Sequence, residues 1–367
     1  MIRCQKILLK YIIVFLLAPV GAAWSGDFPI YSAIKKIITE IRPTPEMKDI
    51  DQFLSKAPKL PVSLPLRSRI ELVNKYIFEE FKFKPDASFL ARSEKDNVLP
   101  DSTIKTHTGH CLGLSILYLL IAEKNNQEAY LVRAPDHVFV RYCESGSCLN
   151  VETLKRGAIV PDNYYIENQT IPKQALGINY LVSLKDPKEL AASIYLGLGY
   201  ISAKSGQQDL AVLFYKKASE LSATFAEPHS NLAALYFQRG QTSQAKKELE
   251  SALKINSTNY AALLNTGALF QAAQDPANAL VQYNRAIESN PVSYEAYSRR
   301  SQIFASLKRG PEALLDLDRV LAVQPKFCDV MEKRNALAKQ FKLPEKPELI
   351  KTASELQKTG QCLYLPQ

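Results

Sequence analysis

A cysteine at the start of a helix is a candidate nucleophile, because the unpaired N–H groups of the first turn favour negative charge on sulfur and can also support an oxyanion. The segment Thr108-Gly109-His110-Cys111-Leu112-Gly113-Leu114-Ser115 puts Cys111 there, ahead of an apolar run. Downstream, Ala134-Pro135-Asp136-His137-Val138-Phe139-Val140-Arg141 opens a strand-like stretch, in which His137 and Phe139 share a face. The following stretch, Asn150-Val151-Glu152, puts Asn150 and Glu152 on one face. Adjacent antiparallel strands can set a carboxylate or amide against one imidazole nitrogen and leave the other for the thiol. The expected constellation is a Cys111-His137-Glu152 triad. A rival chemistry reads His107, His110, Cys111 and His137 as zinc ligands. That set lacks a second close pair, and no metal is expected.

These side chains need elements to position them. Ile30 to Ile41 reads as a helix stopped by Pro43 and Pro45, and Pro58, Pro61 and Pro65 cluster after it. Ile70, Val73, Ile77 and Phe81 recur at helical spacing, so Arg67 to Phe81 is predicted to be a helix. A polar loop is expected from Lys84 to Gly109 and a helix from Leu112 to Ala122. Three β-like runs follow: Ala129 to Arg133, Val138 to Cys143 and Leu149 to Thr153. Helices followed by consecutive short strands predict an α+β domain with an antiparallel sheet.

Past Lys185 an internal repeat begins. Ala211, Ala245, Ala279 and Ala313 are 34 residues apart, and the same step links Ala218, Ala252, Ala286 and Val320. Gly206 and Gly240 hold the turn position, with Gln274 and Lys308 in the next two places. Gly199, Ala233, Gly267 and Ser301 are small enough for paired helices to approach, and Tyr215, Leu249, Tyr283 and Leu317 fill the next layer. This pattern, over about Ala191 to Gln324, resembles the tetratricopeptide repeat, with Ala223 where Pro is usual in the first unit and Val320 for Ala in the last. Such units stack into a superhelix with a concave surface. The resemblance implies groove positions at Asn231, Asn265 and Arg299, whose side chains can hydrogen-bond an extended backbone or a carboxylate. Ser230 and Glu295 stand where a carboxylate clamp of the chaperone type needs lysines, so that clamp is not expected. His229 occupies a packing position and is expected to be structural.

The helix from Ile70 to Phe81, the phrase Cys111-Leu112-Gly113-Leu114-Ser115 and the phrase Pro135-Asp136-His137-Val138-Phe139-Val140-Arg141 resemble the transglutaminase-like, papain-related superfamily, in its bacterial branch with a repeat-bearing tail. Coverage is roughly Arg67 to Tyr165. The resemblance implies Cys111 as nucleophile, His137 as general base and then acid, and Glu152 as the residue that orients the ring. The family usually has Asp in the third place, often followed by Pro, and Trp where Phe139 stands. Asn150 is the fallback orienter, because amides fill that role in papain-type enzymes.

The expected fold class is an α+β transglutaminase-like domain followed by an all-α tetratricopeptide superhelix. Arg3, Lys6 and Lys10 precede an apolar run from Tyr11 to Ala18 and small residues up to Ala23, the pattern of a signal peptide cleaved after Ala23 or Ser25. The expected layout is a signal peptide at 1–25, a helical, Pro-containing lead-in at 26–66, the transglutaminase-like domain at 67–185, four repeats at 186–327 and capping helices at 328–367. The expected location is periplasmic or secreted, with no stable membrane anchor after signal cleavage.

Export favours disulfides. Cys143 and Cys148 bracket the turn Glu144-Ser145-Gly146-Ser147, and Cys328 and Cys362 flank the last helical stretch; both pairs are expected to bond. Cys111 is then the odd cysteine, either buried and inert or chemically employed.

The chain has 367 residues, a formal net charge of +9 and 23% charged residues; losing residues 1–25 leaves +6. That charge is too dilute for a dedicated nucleic-acid binder, and no nucleic-acid partner is expected. Lys204-Ser205-Gly206-Gln207 is a repeat turn and no Gly-rich dinucleotide signature follows a strand, so no cofactor is expected. The expected function is an exported cysteine-dependent amide hydrolase or transamidase whose repeats bind a protein or peptide. The alternative is a non-catalytic scaffold of the same two folds.

Overall fold

The protein is described by a computed structural model over residues 29–42, 47–86, 98–168, 171 and 173–365. The expected signal peptide, with Pro43 and Pro45, lies outside the described residues. The chain begins with α1 (Pro29–Ile41) and α2 (Lys48–Lys56), followed by α3 (Leu66–Lys75), which widens into a π turn over Tyr76–Glu80. The expected polar loop holds a parallel pair of two-residue strands, β1 (Lys84–Pro85) and β2 (Thr108–Gly109), and a short helix, α4 (Pro100–Thr106). Pro100 sits at the start of α4, where its missing N–H costs nothing. Asp101, Ser102 and Thr103 of α4 are buried, so its sequence shows no apolar period; Arg42 answers it from outside, pairing with Asp101 at 2.9 Å and Ser102 at 2.7 Å.

The axis of the first domain is α5 (Cys111–Lys124), in which every residue from Leu112 to Ala122 is buried. A helix apolar on all sides is stable only when enclosed. One face of a five-stranded antiparallel sheet covers it, in the order β6 (Ala158–Val160), β5 (Ser147–Glu152), β4 (His137–Glu144), β3 (Glu128–Ala134), β7 (Ser183–Leu184). Leu131, Val140 and Val151 point to the α5 side, whereas Val132 and Phe139 pack on the other side against Tyr165 of α6 (Asp162–Asn168). The β4–β5 turn places Ser145 at φ 49° and Gly146 at φ 82°, the backbone of a tight hairpin, and the facing Cys143 and Cys148 are bonded across it. The β6 and β7 strands, of two or three residues, are too short for an alternation to register in sequence.

Within the span expected as a lead-in, α1 and α2 add side chains to the core. Ile34, Ile37 and Ile38 of α1 and Ile50 and Phe53 of α2 enter the same apolar cluster as α5. The Glu123 carboxylate of α5 accepts the Ile30 and Tyr31 N–H groups at 2.7 and 2.9 Å, satisfying donors that the first turn of α1 leaves open. Only the i, i+3, i+4 spacing of the isoleucines announces this in sequence, and it does not say which partner covers them.

The repeats are helix pairs: α7 (Pro187–Lys204) with α8 (Gln208–Leu221), α9 (Glu227–Gln238) with α10 (Thr242–Ile255), α11 (Tyr260–Ala272) with α12 (Pro276–Ser289), and α13 (Tyr294–Ser306) with α14 (Gly310–Val323). After them, α15 (Cys328–Gln340) and α16 (Pro347–Lys358) are stapled by the Cys328–Cys362 disulfide. The alanines of the 34-residue register are fully buried. The join to the first domain is not a linker: Leu190, Ile194, Tyr195 and Leu198 of α7 and Phe214 of α8 belong to the cluster that contains α1 and α5. Glu40 of α1 also takes Lys217 of α8 and the Tyr195 hydroxyl.

Two repeat positions carry an expected outcome. A Cβ at Gly267 would lie 2.5 Å from the Tyr283 ring, so Gly267→Val is expected to lower stability by about 1–3 kcal/mol in denaturant unfolding. Lys308 holds a left-handed φ of 59° at the place where Gly206 and Gly240 stand, so Lys308→Gly is expected to raise stability by about 0.5 kcal/mol.

Candidate active site

Cys111 is the first residue of α5 and is partly open to solvent; it is the one free cysteine among the described residues. The N–H groups of the first turn precede the first helical bond, from Leu114 to the His110 carbonyl at 3.0 Å, and the His110 side chain does not cap them. Gly109 allows this start to sit close to its surroundings: a Cβ there would meet Thr103 at 2.7 Å and Leu114 at 2.8 Å.

His137 begins β4 directly after a two-residue turn, Pro135-Asp136, in which Asp136 takes a left-handed φ of 51°. Its Nε2 lies 2.8 Å from Glu152 Oε2, which leaves Nδ1 to meet the Cys111 thiol, a group near enough to act on the charge of the ring. The imidazole and carboxylate side chains are only 9% and 3% exposed. Burial alone would drive the imidazole towards its neutral form. The hydrogen bonds and charges of Cys111 and Glu152 outweigh it and raise the His137 pKa to about 10.

Glu152 ends β5, and its second oxygen accepts the Leu154 N–H at 2.9 Å, which fixes the carboxylate as it opens a short 3₁₀ turn, Thr153–Lys155. Thr153 in that turn reaches the Cys111 carbonyl at 3.5 Å, tying the strand end to the helix start. The three residues singled out from sequence therefore lie together.

Asn150 does not face the imidazole. Its Oδ1 accepts from Arg141 Nε at 2.7 Å and its Nδ2 donates to Asp162 at 2.7 Å, so it fastens α6 to the sheet. It shares a face with Glu152, as its spacing requires, but it sits opposite Arg141 in the strand register and that partner claims it. His107 and His110 are held by backbone carbonyls, of Phe81 at 2.6 Å and Asp86 at 3.1 Å respectively. Among the described residues no group of three or more His, Cys, Asp or Glu is placed to hold a metal ion. A cavity of about 330 Å³ between α1, α5, β3 and α7 is lined by residues such as Ile30, Glu123, Tyr130 and Leu190, none of them from this site.

The sequence reading missed Tyr165. Its ring stacks on Phe139 at 3.7 Å between centroids and 8° between planes, and lies 6.1 Å from the His137 ring at 27°. Burial first, and then the neighbouring Glu152 charge, push the phenol well above its ordinary range, so it stays protonated. In the sequence it stands in Asp162-Asn163-Tyr164-Tyr165-Ile166-Glu167-Asn168, where nothing sets it apart from Tyr164.

On the repeats, Asn231, Asn265 and Arg299 occupy equivalent places on α9, α11 and α13, each half-buried. The Tyr283 hydroxyl, which donates to Gln271 Oε1 at 2.7 Å, also lies near the Arg299 charge. His229 pairs with Glu248 of α10 at 2.7 Å, joining the two helices of one repeat.

Among the described residues no helix is long and apolar enough to cross a membrane. Residues 30–175 match the transglutaminase-like superfamily, and residues 192–225, 226–259 and 264–326 match the tetratricopeptide repeat. No curated protein matches the chain. Similar solved structures include YrrB, described as a TPR protein with an unusual peptide-binding site, at 23% identity over 46% of this chain and 87% of its own (TM-score 0.37). PilF of Pseudomonas aeruginosa is 18% identical over 48% and 78% (TM-score 0.43), and MamA is 19% identical over 48% and 98% (TM-score 0.38). The chain is a transglutaminase-like domain, with α1 and α2 inside the matched span, joined to tetratricopeptide repeats.

Proposed function

We propose that the protein is an exported, cysteine-dependent acyl-transfer enzyme acting on an amide of a protein or peptide that its repeats hold. The observation that carries the reading is the buried His137 ring, held by the Glu152 carboxylate and near enough to the Cys111 thiol for the two to interact. An imidazolium beside the sulfur and the helix N-terminus beneath it both stabilise negative charge there. The sulfur attacks the amide carbonyl carbon, the C–N bond breaks, the amine leaves with the His137 proton, and a thioester remains. Water or a second amine, deprotonated by His137, then attacks the thioester and restores the thiol. Glu152 keeps the ring oriented throughout. The two disulfides and the signal-like residues 1–25 support export.

The repeats support delivery of substrate because the His137 turn faces them. Arg133, at the end of β3, pairs with Glu227 of α9 and lies 3.5 Å over the Phe225 ring, and Tyr180 donates to Glu227 at 3.0 Å. Solvent reaches Asp136 of the turn, yet the surrounding protein strips it of bulk water and the Glu227 and Glu295 charges add to the effect, so its carboxyl is held above the usual range. Glu227 and Glu295 lie on α9 and α13, the helices that carry Asn231 and Arg299.

Iodoacetamide labelling followed by mass spectrometry tests the thiol: at pH 6, Cys111 is expected to react about a hundredfold faster than an ordinary thiol, and His137→Ala to abolish the advantage. An ordinary rate in the wild type points instead to the non-catalytic scaffold. The raised His137 pKa also sets a pH dependence. The imidazolium stabilises the fold fully below the unfolded-state pKa of 6.5, and this contribution is lost as pH rises through about 10. Urea unfolding is therefore expected to show a fall in stability between those limits that His137→Gln lacks. For the groove, peptides selected from a random library on the wild type are expected to bind Asn265→Ala/Arg299→Ala at least about tenfold more weakly; equal affinity marks the array as a spacer.

A further inference from the structure

We propose that Tyr165 is a positioning residue for the Cys111–His137 pair, walling the imidazole with its ring and steadying Glu152 with its phenol. The inference rests on the acyl-transfer reading only for its consequence; the contacts exist without it. A strand-borne histidine is fixed by its backbone at one end, but its ring still turns about χ2, a broad torsion. A single hydrogen bond to Glu152 leaves that rotation softly restrained, and a small rotation would swing Nδ1 off the sulfur.

Tyr165 removes the slack. Its ring lies parallel to Phe139, two residues along the same face of β4, and reaches over to the His137 ring. It is fully buried, so it has no room to withdraw. The helix that carries it is anchored in turn: Asp162, at the start of α6, takes Arg141 Nη2 at 2.6 Å and Asn150 Nδ2 at 2.7 Å, from β4 and β5 respectively. Asn150 thus acts at one remove from the imidazole, through the helix it holds.

The phenol adds a second restraint. Its oxygen is buried without a hydrogen-bond partner among the described residues, near enough to the Glu152 carboxylate to feel its charge. A protonated phenol next to a carboxylate that already receives His137 and Leu154 can supply only a donor. A buried carboxylate with more donors around it has fewer orientations open to it.

Two variants separate ring from hydroxyl. Tyr165→Phe keeps the stack and the volume; Tyr165→Leu removes the wall. The rate of Cys111 alkylation by iodoacetamide is followed from pH 5 to 10, together with the His137 Nε2–H proton resonance. Tyr165→Leu is expected to lower the rate about tenfold near pH 6 while leaving the rate near pH 10 unchanged, and to broaden the Nε2–H resonance. Tyr165→Phe is expected to restore most of the rate, to within about threefold of wild type, with a shifted but sharp resonance. A profile for Tyr165→Leu that superposes on wild type, or differs by one factor at every pH, overturns the proposal. If the wild type itself lacks the neutral-pH rate, the acyl-transfer reading fails, and the resonance alone decides the positioning role: sharp and unshifted in both variants overturns it. Should Tyr165→Leu not fold, an unshifted resonance in Tyr165→Phe overturns the hydroxyl's part and the proposal with it.

Discussion

A charged imidazole loses most of its hydration when buried, so it can persist only where opposite charge or strong acceptors meet it at bonding distance. In this protein the meeting is made by two strand ends. His137 opens β4 and Glu152 closes β5, and the antiparallel register brings the two together at one end of the sheet. The carboxylate does not wander, because its other oxygen is spent on the Leu154 N–H at the turn that follows. Raising the imidazole's proton affinity is the electrostatic result, and it is local to these few groups.

The sulfur comes from another element. Cys111 can stand beside the ring only because α5 is held in a fixed position against the sheet, and its apolar girth, from Leu112 to Ala122, leaves it no stable alternative to complete enclosure. Part of that enclosure comes from α1 and α2, and the same apolar cluster continues into α7 and α8. Stability of the thiol's surroundings and stability of the first repeat are thus not independent. Repeats attached through a shared core are also held in a defined relation to the His137 turn, which the Arg133–Glu227 pair reinforces.

Much of this could be read from residue order. The α5 helix, the three main strands and the 34-residue period stood out because each has a long enough apolar pattern, and Cys111, His137 and Glu152 stood out by residue type at element boundaries. The enclosing role of α1 and α2 did not, since an amphipathic helix declares a buried face without naming what buries it. The short helix α4 escaped notice because its buried face is polar and is matched by Arg42, a partner distant in sequence. Asn150 stood as the fallback to Glu152 as orienter, because the two are two residues apart on one face.

Sequence by itself determined the secondary-structure periods, the repeat and the identity of the groups able to do chemistry, because these depend on spacing along one chain. Tertiary structure alone decided which of two acceptors turns towards the imidazole, that Tyr165 walls it, and that the repeats grow out of the domain's own core. Those outcomes depend on strand register and on contacts between residues far apart in the chain, where a shift of a single position exchanges one neighbour for another.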